Sequence, residues 1–209
     1  MVEPSTNYTK DFSCVVIDRN TKDYEILIQW SKVFLMNQSF TTFSGNTTAR
    51  ALLFPLEKVF ESYVAKNLKR VLGDLNWEIS TQDKGYYLFD SPRKFALRPD
   101  IVITRDDGSR IILDTKWKLQ SNNPRQNYGI SHADMYQMYA YSKKYNTPEV
   151  WLLYPLNEEM QNADISFQAS NRDVVETKVR LFFVDVIGIK ESLGELKRQL
   201  INEIHHHFL

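Results

Sequence analysis

The sequence predicts an α/β domain with a mixed central sheet, helices on both faces of the sheet, and a short helical segment before it. Three observations predict this class: a long amphipathic helix, a run of short β segments after it, and a second helix followed by two apolar strands and a closing helix. A chain of 209 residues fits one domain with a small preface. We expect residues 1–50 to form the N-terminal helical segment and residues 51–209 the main domain.

The first half of the chain carries two helical patterns. Residues 22–37 show a helical stripe of apolar side chains, and "NQSFTTFSGNTT" after them has the composition of a loop. The segment "FPLEKVFESYVAKNLKRVLG" predicts the clearest helix, with Pro55 at its first position and Gly73 at its C-terminal cap. Its apolar stripe consists of Leu56, Val59, Phe60, Tyr63, Val64, Val71 and Leu72.

Strands and two more helices follow. Short β segments are predicted at about 75–80, 85–90, 96–105 and 109–118. The segment "SHADMYQMYAYSKKY" predicts a helix, with Ser131 as its N-cap and Asp134 in a capping box. The apolar runs "EVWLLYP" and "KVRLFFVDV" predict buried strands, and a helix from about 190 to 204 closes the chain.

Composition narrows the possible classes of protein. Hydrophobic residues make up 43% of the chain and charged residues 25%, which predicts a packed core and argues against disorder. No run approaches the roughly 18 apolar residues of a membrane span, and the N-terminus has no signal-peptide pattern. The chain has a single cysteine, Cys14, so an intrachain disulfide is impossible. We therefore expect a cytoplasmic protein and expect Cys14 to be a core residue.

The charge of the chain is balanced overall but not locally. The formal net charge is zero, whereas the stretch from Lys84 to Arg125 holds nine Lys or Arg and five Asp or Glu, an excess of four. A solvated surface is the simpler interpretation of this excess, and a phosphate-binding face is the alternative.

A hairpin brings three charges of this stretch together. The segment "LRPDIVITRDDGSRIILDTKWK" reads as two strands joined by Asp106-Asp107-Gly108, a three-residue turn with Gly108 in the left-handed conformation. This turn sets Arg105 opposite Ser109 and therefore Asp100 opposite Asp114. Because side chains alternate along a strand, Asp114 and Lys116 share one face.

Two opposed carboxylates repel each other unless one is protonated or a cation lies between them. Mg²⁺ typically binds one or two carboxylates together with phosphate oxygens and water, and a neighbouring lysine suits a phosphate oxygen. The arrangement therefore suits metal-assisted phosphodiester hydrolysis. A cross-strand salt bridge of Lys116 with Asp100 or Asp114 is the alternative that these residues leave open.

The same residues resemble the PD-(D/E)xK nuclease pattern: Pro99-Asp100, a spacer, then Asp114-Thr115-Lys116. Nucleases of this kind commonly carry an acid in the preceding helix, where this chain has Glu57. Gln137 and Tyr141 form the Q-x-x-x-Y pair of RecB-like members, and their spacing places both on one helix face.

Four motifs, "LLFPLEKVFESYVA", "LRPDIVI", "ILDTKWK" and "DMYQMYAY", resemble the McrC family, the nuclease subunit of modification-dependent McrBC restriction systems. The resemblance covers roughly residues 40–155. It implies a restriction-endonuclease-like core and a Mg²⁺-dependent DNA endonuclease, with Mn²⁺ as a substitute metal. It also implies double-stranded DNA carrying 5-methylcytosine as the substrate and an AAA+ GTPase of the McrB type as the partner.

The resemblance also implies a role for each site residue. Asp100, Asp114 and Glu57 would bind the metal together with the Thr115 carbonyl. Lys116 would stabilise negative charge or orient the attacking water. Gln137 would orient the lysine or contact the DNA backbone, supported by Tyr141. The residues expected to contact DNA are Arg98, Lys118, Arg125 and Tyr141, with Arg105 and Arg110 as further phosphate contacts.

Two other readings of the sequence stay open. A RecB-like exonuclease or a DNA-repair nuclease would use the same motifs, and a non-catalytic scaffold would keep the fold without the chemistry. The histidines add no metal site, because His205, His206 and His207 cannot all face one ion on a helix and His132 lies in a first helical turn, where we expect it to be exposed.

Overall fold

The computed structural model describes residues 7–18, 21–36, 55–171 and 174–206. The chain divides into two compact units, Met1–Phe54 and Pro55–Leu209. The boundary predicted between residues 50 and 51 lies outside the described residues, as does the segment predicted as a loop at 37–48. No helix among the described residues has the length and apolar character that a membrane span requires.

The described part of the N-terminal unit is helical. The predicted helix at 22–37 begins with one 3₁₀ turn and continues as an α-helix to Leu35, whereas residue 37 is not described. Cys14 is exposed, so its prediction as a core residue is wrong; it follows a six-residue helix that buries no side chain. The elements are α1 (Tyr8–Ser13), the 3₁₀ turn (Lys22–Tyr24) and α2 (Glu25–Leu35).

The second unit is built on a six-stranded mixed sheet, which confirms the predicted fold class. The strand order is β1-β4-β5-β6-β8-β7; β5, β6 and β8 are parallel, and the other neighbouring strands are antiparallel. Strands β2 and β3 form a separate two-stranded ribbon. The elements are α3 (Leu56–Val71), β1 (Glu78–Thr81), β2 (Tyr87–Asp90), β3 (Arg93–Ala96), β4 (Ile101–Thr104), β5 (Arg110–Thr115), α4 (His132–Tyr145), β6 (Glu149–Pro155), β7 (Ser166–Asn171), β8 (Val174–Val184) and α5 (Ile189–His206).

Helices cover both faces of the sheet. Helices α3 and α5 pack on the face that carries Ile111 and Leu113 of β5. Helix α4 packs on the opposite face, which carries Ile112. Because side chains alternate along β5, Asp114 extends the face that α4 covers. The candidate site therefore lies between the end of β5 and α4.

The buried side of α3 differs from the predicted stripe. Phe60 and Val64 are buried as expected, together with Ala65 and Leu68, which the predicted stripe leaves out. Leu72 is also buried as expected, and Val71 packs against the same core, whereas the predicted members Leu56, Val59 and Tyr63 are between 39% and 49% exposed. The helix is thus rotated toward the smaller Ala65, which allows a closer approach to the sheet.

Two strands are missing from the sequence prediction. Strand β3 falls almost entirely between the strands predicted at about 85–90 and 96–105, and β7 is not predicted. Every residue of β3 is exposed, and β7 lies at the edge of the sheet, so neither carries an alternating apolar pattern. The predicted strand 96–105 is divided into the end of β3 and β4.

Candidate active site

The β4–β5 hairpin has the predicted turn and register. Gly108 has a φ of +80°, and its N–H donates to the Arg105 carbonyl at 2.9 Å. The Arg105 N–H donates to the Ser109 carbonyl, also at 2.9 Å, and Ile101 pairs with Leu113. One step beyond that pair, Asp100 lies opposite Asp114, as the turn chemistry predicts.

The carboxylate of Asp100 is held by the neighbouring strand. Its Oδ2 accepts hydrogen bonds from the N–H and the hydroxyl of Thr115, both at 2.7 Å. The Asp100 carbonyl in turn accepts from the Gln82 N–H at 2.9 Å. Asp100 is half-buried, so these bonds fix a carboxylate that remains partly accessible to solvent.

Asp114, Lys116, Gln137 and Tyr141 form one continuous network. Asp114 is only 1% exposed, and it accepts a hydrogen bond from the Lys116 ammonium. The same ammonium donates to Gln137 Oε1 at 3.0 Å, and Gln137 Nε2 donates to the Tyr141 hydroxyl at 2.8 Å. The end of β5 and the helix α4 beside it thus bring together four residues that the sequence analysis singles out.

The charges of this network are not balanced. The pKa of Asp114 is raised from 3.8 to about 7. Burial is the largest cause and repulsion from Asp100 and Asp134 contributes, whereas Lys116 opposes the rise. Burial alone would lower the pKa of Lys116, but attraction to Asp114 and then Asp100 raises it above its ordinary value. The lysine is therefore charged at neutral pH and does not by itself offset both carboxylates.

This imbalance bears on the salt-bridge alternative. The bridge between Lys116 and Asp114 exists, within one strand rather than across the hairpin. If the bond to Lys116 compensated the buried charge of Asp114 completely, the pKa of Asp114 would fall below its ordinary value. Its pKa is instead raised, first by burial and then by repulsion from Asp100, so the bond to Lys116 does not fully compensate the buried carboxylate.

Asp134 belongs to the same charged cluster. Its N–H donates to Ser131 Oγ at 3.1 Å, which confirms Ser131 as the N-cap of α4. Its carboxylate accepts from Lys118 Nζ at 2.8 Å and contributes to the raised pKa of Asp114. Asp134 therefore fixes the start of the helix and also adds negative charge to the site.

Glu61, which the sequence analysis does not single out, lies one turn along α3 from the predicted acid Glu57 and is linked to the site through Gln82. The predicted acid, Glu57, is exposed in the first turn of α3, and among the described residues no three acids, histidines or cysteines are placed to hold one ion. Glu61 is half-buried and accepts a hydrogen bond from Gln82 Nε2 at 2.9 Å. Gln82 also binds the Asp100 carbonyl, which connects Glu61 to the site. Its position between the apolar residues Phe60 and Val64 was the available signal.

The residues predicted to contact DNA fall into two groups. Arg98 and Arg125 are exposed, and the Lys118 side chain is 45% exposed while it pairs with Asp134. Tyr141 is 1% exposed, so the prediction that it reaches DNA is wrong. Its hydroxyl bonds with Gln137 and with the backbone of Arg98, which makes it a support for the network.

Arg105 and Arg110 lie at the turn end of the hairpin, away from Asp100 and Asp114. Arg105 is buried and donates to both carboxylate oxygens of Glu149, at 2.8 and 3.1 Å, so its prediction as a phosphate contact is wrong. Arg110 is half-buried and donates to the Tyr86 hydroxyl at 2.5 Å. Charge in the sequence could not distinguish these inward-facing arginines from exposed ones.

The histidines lie apart in the sequence from the residues of the network. His132 is exposed, as predicted. His205 and His206 lie in the last turn of α5, and His207 lies outside the described residues.

The donor set fits a hard divalent cation. Asp100 and Asp114 supply carboxylate oxygens from adjacent strands, and these are the ligands that Mg²⁺ and Mn²⁺ prefer. Repulsion from Asp100 contributes, after burial, to the raised pKa of Asp114, and a cation between the two carboxylates would relieve that repulsion. Thr115 lies at the same point and fixes Asp100 through its N–H and hydroxyl.

Comparisons with known proteins agree with this fold. A family model described as "McrBC 5-methylcytosine restriction system component" matches residues 1–155. A comparison with curated protein sequences found no match. A chain from the structure "Refined half-complex from tetradecameric assembly of Thermococcus gammatolerans McrB AAA+ hexamers with bound McrC" has a similar fold, with a TM-score of 0.54 and 14% identity.

The structural match covers 95% of this chain and 44% of the other, so this chain spans less than half the length of that relative. The family model, in contrast, matches 155 of the 209 residues. Because that match includes both carboxylates, Lys116 and Gln137, it coincides with the network described above. The chain therefore belongs to the family of McrBC 5-methylcytosine restriction system components.

Proposed function

We propose that this chain is a metal-dependent deoxyribonuclease with a PD-(D/E)xK active site, the cleavage component of a restriction complex that attacks DNA carrying 5-methylcytosine. The observation that carries the proposal is the network of Asp100, Asp114, Lys116 and Gln137, in which two carboxylates and a charged lysine converge. The family membership supports the type of complex. We expect the protein to act in the cytoplasm on double-stranded DNA.

Asp100 and Asp114 would hold Mg²⁺, or Mn²⁺ in its place, and the Thr115 carbonyl is the third ligand that we expect. When bound, the metal polarises the scissile phosphate and lowers the pKa of a bound water. Lys116 remains protonated because its carboxylate neighbours raise its pKa, so it stabilises negative charge on the phosphate rather than acting as a base. Gln137 positions the lysine, and Tyr141 positions Gln137.

The partner is proposed to be an AAA+ GTPase of the McrB type. The structural relative comes from an assembly of McrB AAA+ hexamers with bound McrC, and this chain covers 44% of the matched chain. We propose that the motor recognises the modified base, since the described site offers charged groups for phosphate rather than a pocket that selects a base. Cleavage by this chain would then depend on the motor for its choice of DNA.

Purified protein, mixed with a McrB-type partner, GTP and Mg²⁺, is expected to linearise closed circular DNA that carries 5-methylcytosine. EDTA should stop the reaction and Mn²⁺ should restore it, because the two carboxylates need a hard cation. Unmethylated plasmid is the matched control. Degradation of linear DNA alone, with circles left intact, would instead identify a RecB-like exonuclease. Absence of Mg²⁺ and Mn²⁺ binding in calorimetry would point to a non-catalytic scaffold.

The support of Lys116 by α4 gives a second prediction. Gln137→Ala is expected to lower kcat by roughly 10- to 100-fold with little change in KM, because a misplaced catalytic group costs about that much. Tyr141→Phe should cost roughly tenfold, since Gln137 then lacks its hydroxyl partner. Steady-state cleavage kinetics measure both values. The matched control is Tyr136→Phe on the same helix, where the side chain is 73% exposed; equal rates for the two tyrosine variants would refute the positioning role.

A further inference from the structure

The ribbon of β2 and β3 presents two exposed phenylalanines. Phe89 is 55% exposed and Phe95 is 72% exposed, and their rings meet edge to face with centroids 5.9 Å apart. Exposed aromatic pairs of this kind are costly in water unless they serve a contact. The ribbon is separate from the six-stranded sheet, so these rings make no part of either hydrophobic core.

The backbone at Phe95 departs from a regular strand. Phe89 pairs with Lys94, so both lie on one face of the ribbon, and Phe95 would point to the other face if alternation continued. Phe95 instead has a φ of +57°, which is rare for a bulky residue, and its ring reaches that of Phe89. Backbone strain that places an exposed ring is a feature of functional segments rather than of packing.

The ribbon is joined to the last turn of α4, the helix that also carries Gln137. Lys144 of α4 pairs with Asp90 at 2.7 Å, and the Tyr86 ring lies 4.2 Å from that of Tyr145. Only four residues separate Phe95 from Asp100, so the two Cα atoms lie within about 18 Å even for a fully extended chain. A strand of DNA whose phosphate lies at the carboxylates would therefore pass close to the ribbon.

The charges around the rings suit a polyanion. Lys84, Arg93, Lys94 and Arg98 are all exposed on or beside the ribbon. Of the acids in that stretch, Asp90 is engaged by Lys144 and Asp83 accepts from the Tyr145 hydroxyl at 2.8 Å. Basic residues interleaved with exposed aromatic rings are the combination that binds nucleic acid by phosphate contacts and base stacking.

We infer that the β2–β3 ribbon is a base-stacking element, on which Phe89 and Phe95 receive a base unstacked from the DNA next to the scissile phosphate while Arg93 and Lys94 bind the backbone. The inference rests on the proposed nuclease function and adds a substrate-positioning surface to it. It assigns the aromatic rings to bases and the cations to phosphates, and these two roles can be measured separately.

Fluorescence anisotropy in EDTA, which prevents cleavage, separates the two roles. The probes are an oligothymidylate of about 12 nucleotides, within the ~4–16 typical of stacking sites, and an abasic deoxyribose-phosphate oligomer of equal length. The double variant Phe89→Ala, Phe95→Ala should bind oligothymidylate roughly 10- to 100-fold more weakly and the abasic oligomer equally well. The double variant Phe89→Tyr, Phe95→Tyr should retain binding, because it keeps the aromatic rings.

Two controls complete the design. The double variant Arg93→Ala, Lys94→Ala should weaken binding of both probes and reduce the dependence on salt. Ile187→Ala, at a side chain that is 94% exposed outside the ribbon, should change neither. Unfolding temperatures of all variants should match the wild type, since every replaced side chain is exposed.

The outcomes that overturn the inference differ from those that overturn the proposed function. If the alanine double variant binds oligothymidylate as tightly as the wild type, or weakens both probes equally, the rings do not stack on bases, and the nuclease proposal stands. If the variant loses only its complex with the motor, the ribbon is a protein-docking surface instead. A wild-type protein that binds neither probe overturns the stacking inference alone, because the proposed function is tested by cleavage of double-stranded methylated DNA.

Discussion

Replacing Asp114 with asparagine is expected to abolish DNA cleavage and, in metal-free buffer, to stabilise the folded protein above neutral pH. The first effect follows from the loss of one of the two carboxylates that would hold the metal, and we expect a fall of at least about 10³-fold in rate. The second effect follows from the charge that the folded protein must bury at this position. The variant would therefore lose activity while it gains stability.

The direction of the pH effect follows from the raised pKa of Asp114. This carboxyl titrates near 3.8 in the unfolded chain and near 7 in the folded one, so the unfolded chain releases its proton first as pH rises. The group therefore lowers stability progressively from about pH 4 to pH 7 and by a constant amount above that. A rise of this size corresponds to at most about 4 kcal/mol. Asparagine removes this cost but also weakens the bond to Lys116, so we expect a gain of about 2 kcal/mol at pH 8.

Urea unfolding in EDTA at pH 5 and pH 8 measures the effect. The variant should gain stability at pH 8 and little at pH 5, whereas Mg²⁺ should stabilise the wild type and not the variant. Asp106→Asn is the matched control, since it removes one carboxylate from the exposed turn of the same hairpin. Cleavage by Asp114→Asn at the wild-type rate would reject the assignment of Asp114 to the active site. An equal dependence of stability on pH in the two variants would reject the raised pKa of Asp114.

The parts of the site that the sequence predicts correctly depend on local rules. The Asp106-Asp107-Gly108 turn determines the register of the hairpin, and the register alone places Asp100 opposite Asp114. The four-residue spacing of Gln137 and Tyr141 places both on one helix face, whatever the rest of the fold. In each case the geometry is set by residues that are close in sequence.

The parts that the sequence does not predict depend on packing between distant elements. Glu57 and Glu61 are one turn apart on α3, and only the rotation of that helix against the sheet decides that Glu61 faces Gln82. Arg105 and Arg98 look alike in sequence, but the acid that buries Arg105 is Glu149, 44 residues away. The ribbon strand β3 has no buried residue, so no hydrophobic periodicity marks it.

The ion pair of Arg105 and Glu149 allows stability to be changed without changing the site. Both side chains are at least nine-tenths buried, and Arg105 also donates to the Leu200 carbonyl of α5 at 3.0 Å, which ties the hairpin to that helix. Arg105 lies five positions along the strand from Asp100, a distance of about 17 Å. Damage to the pair should therefore reach the candidate active site only through the stability of the whole unit.

Glu149→Gln is expected to destabilise the protein by about 3 kcal/mol, because it leaves the Arg105 guanidinium buried without its counter-charge. The double variant Arg105→Met, Glu149→Leu should recover most of that loss, since two apolar side chains carry no desolvation cost. Urea unfolding measures both. The control Asp74→Asn, which removes an exposed acid paired with Lys197, should change stability far less than Glu149→Gln does.

Cleavage per folded molecule should remain at the wild-type value in both the single and the double variant, in contrast to Asp114→Asn, which should be stable and inactive. A Glu149→Gln protein of unchanged stability would mean that the buried charge finds another partner. A stable double variant with lost activity would mean that the turn end of the hairpin controls the register at Asp100 and Asp114. The register would then depend on the ion pair as well as on the Asp106-Asp107-Gly108 turn.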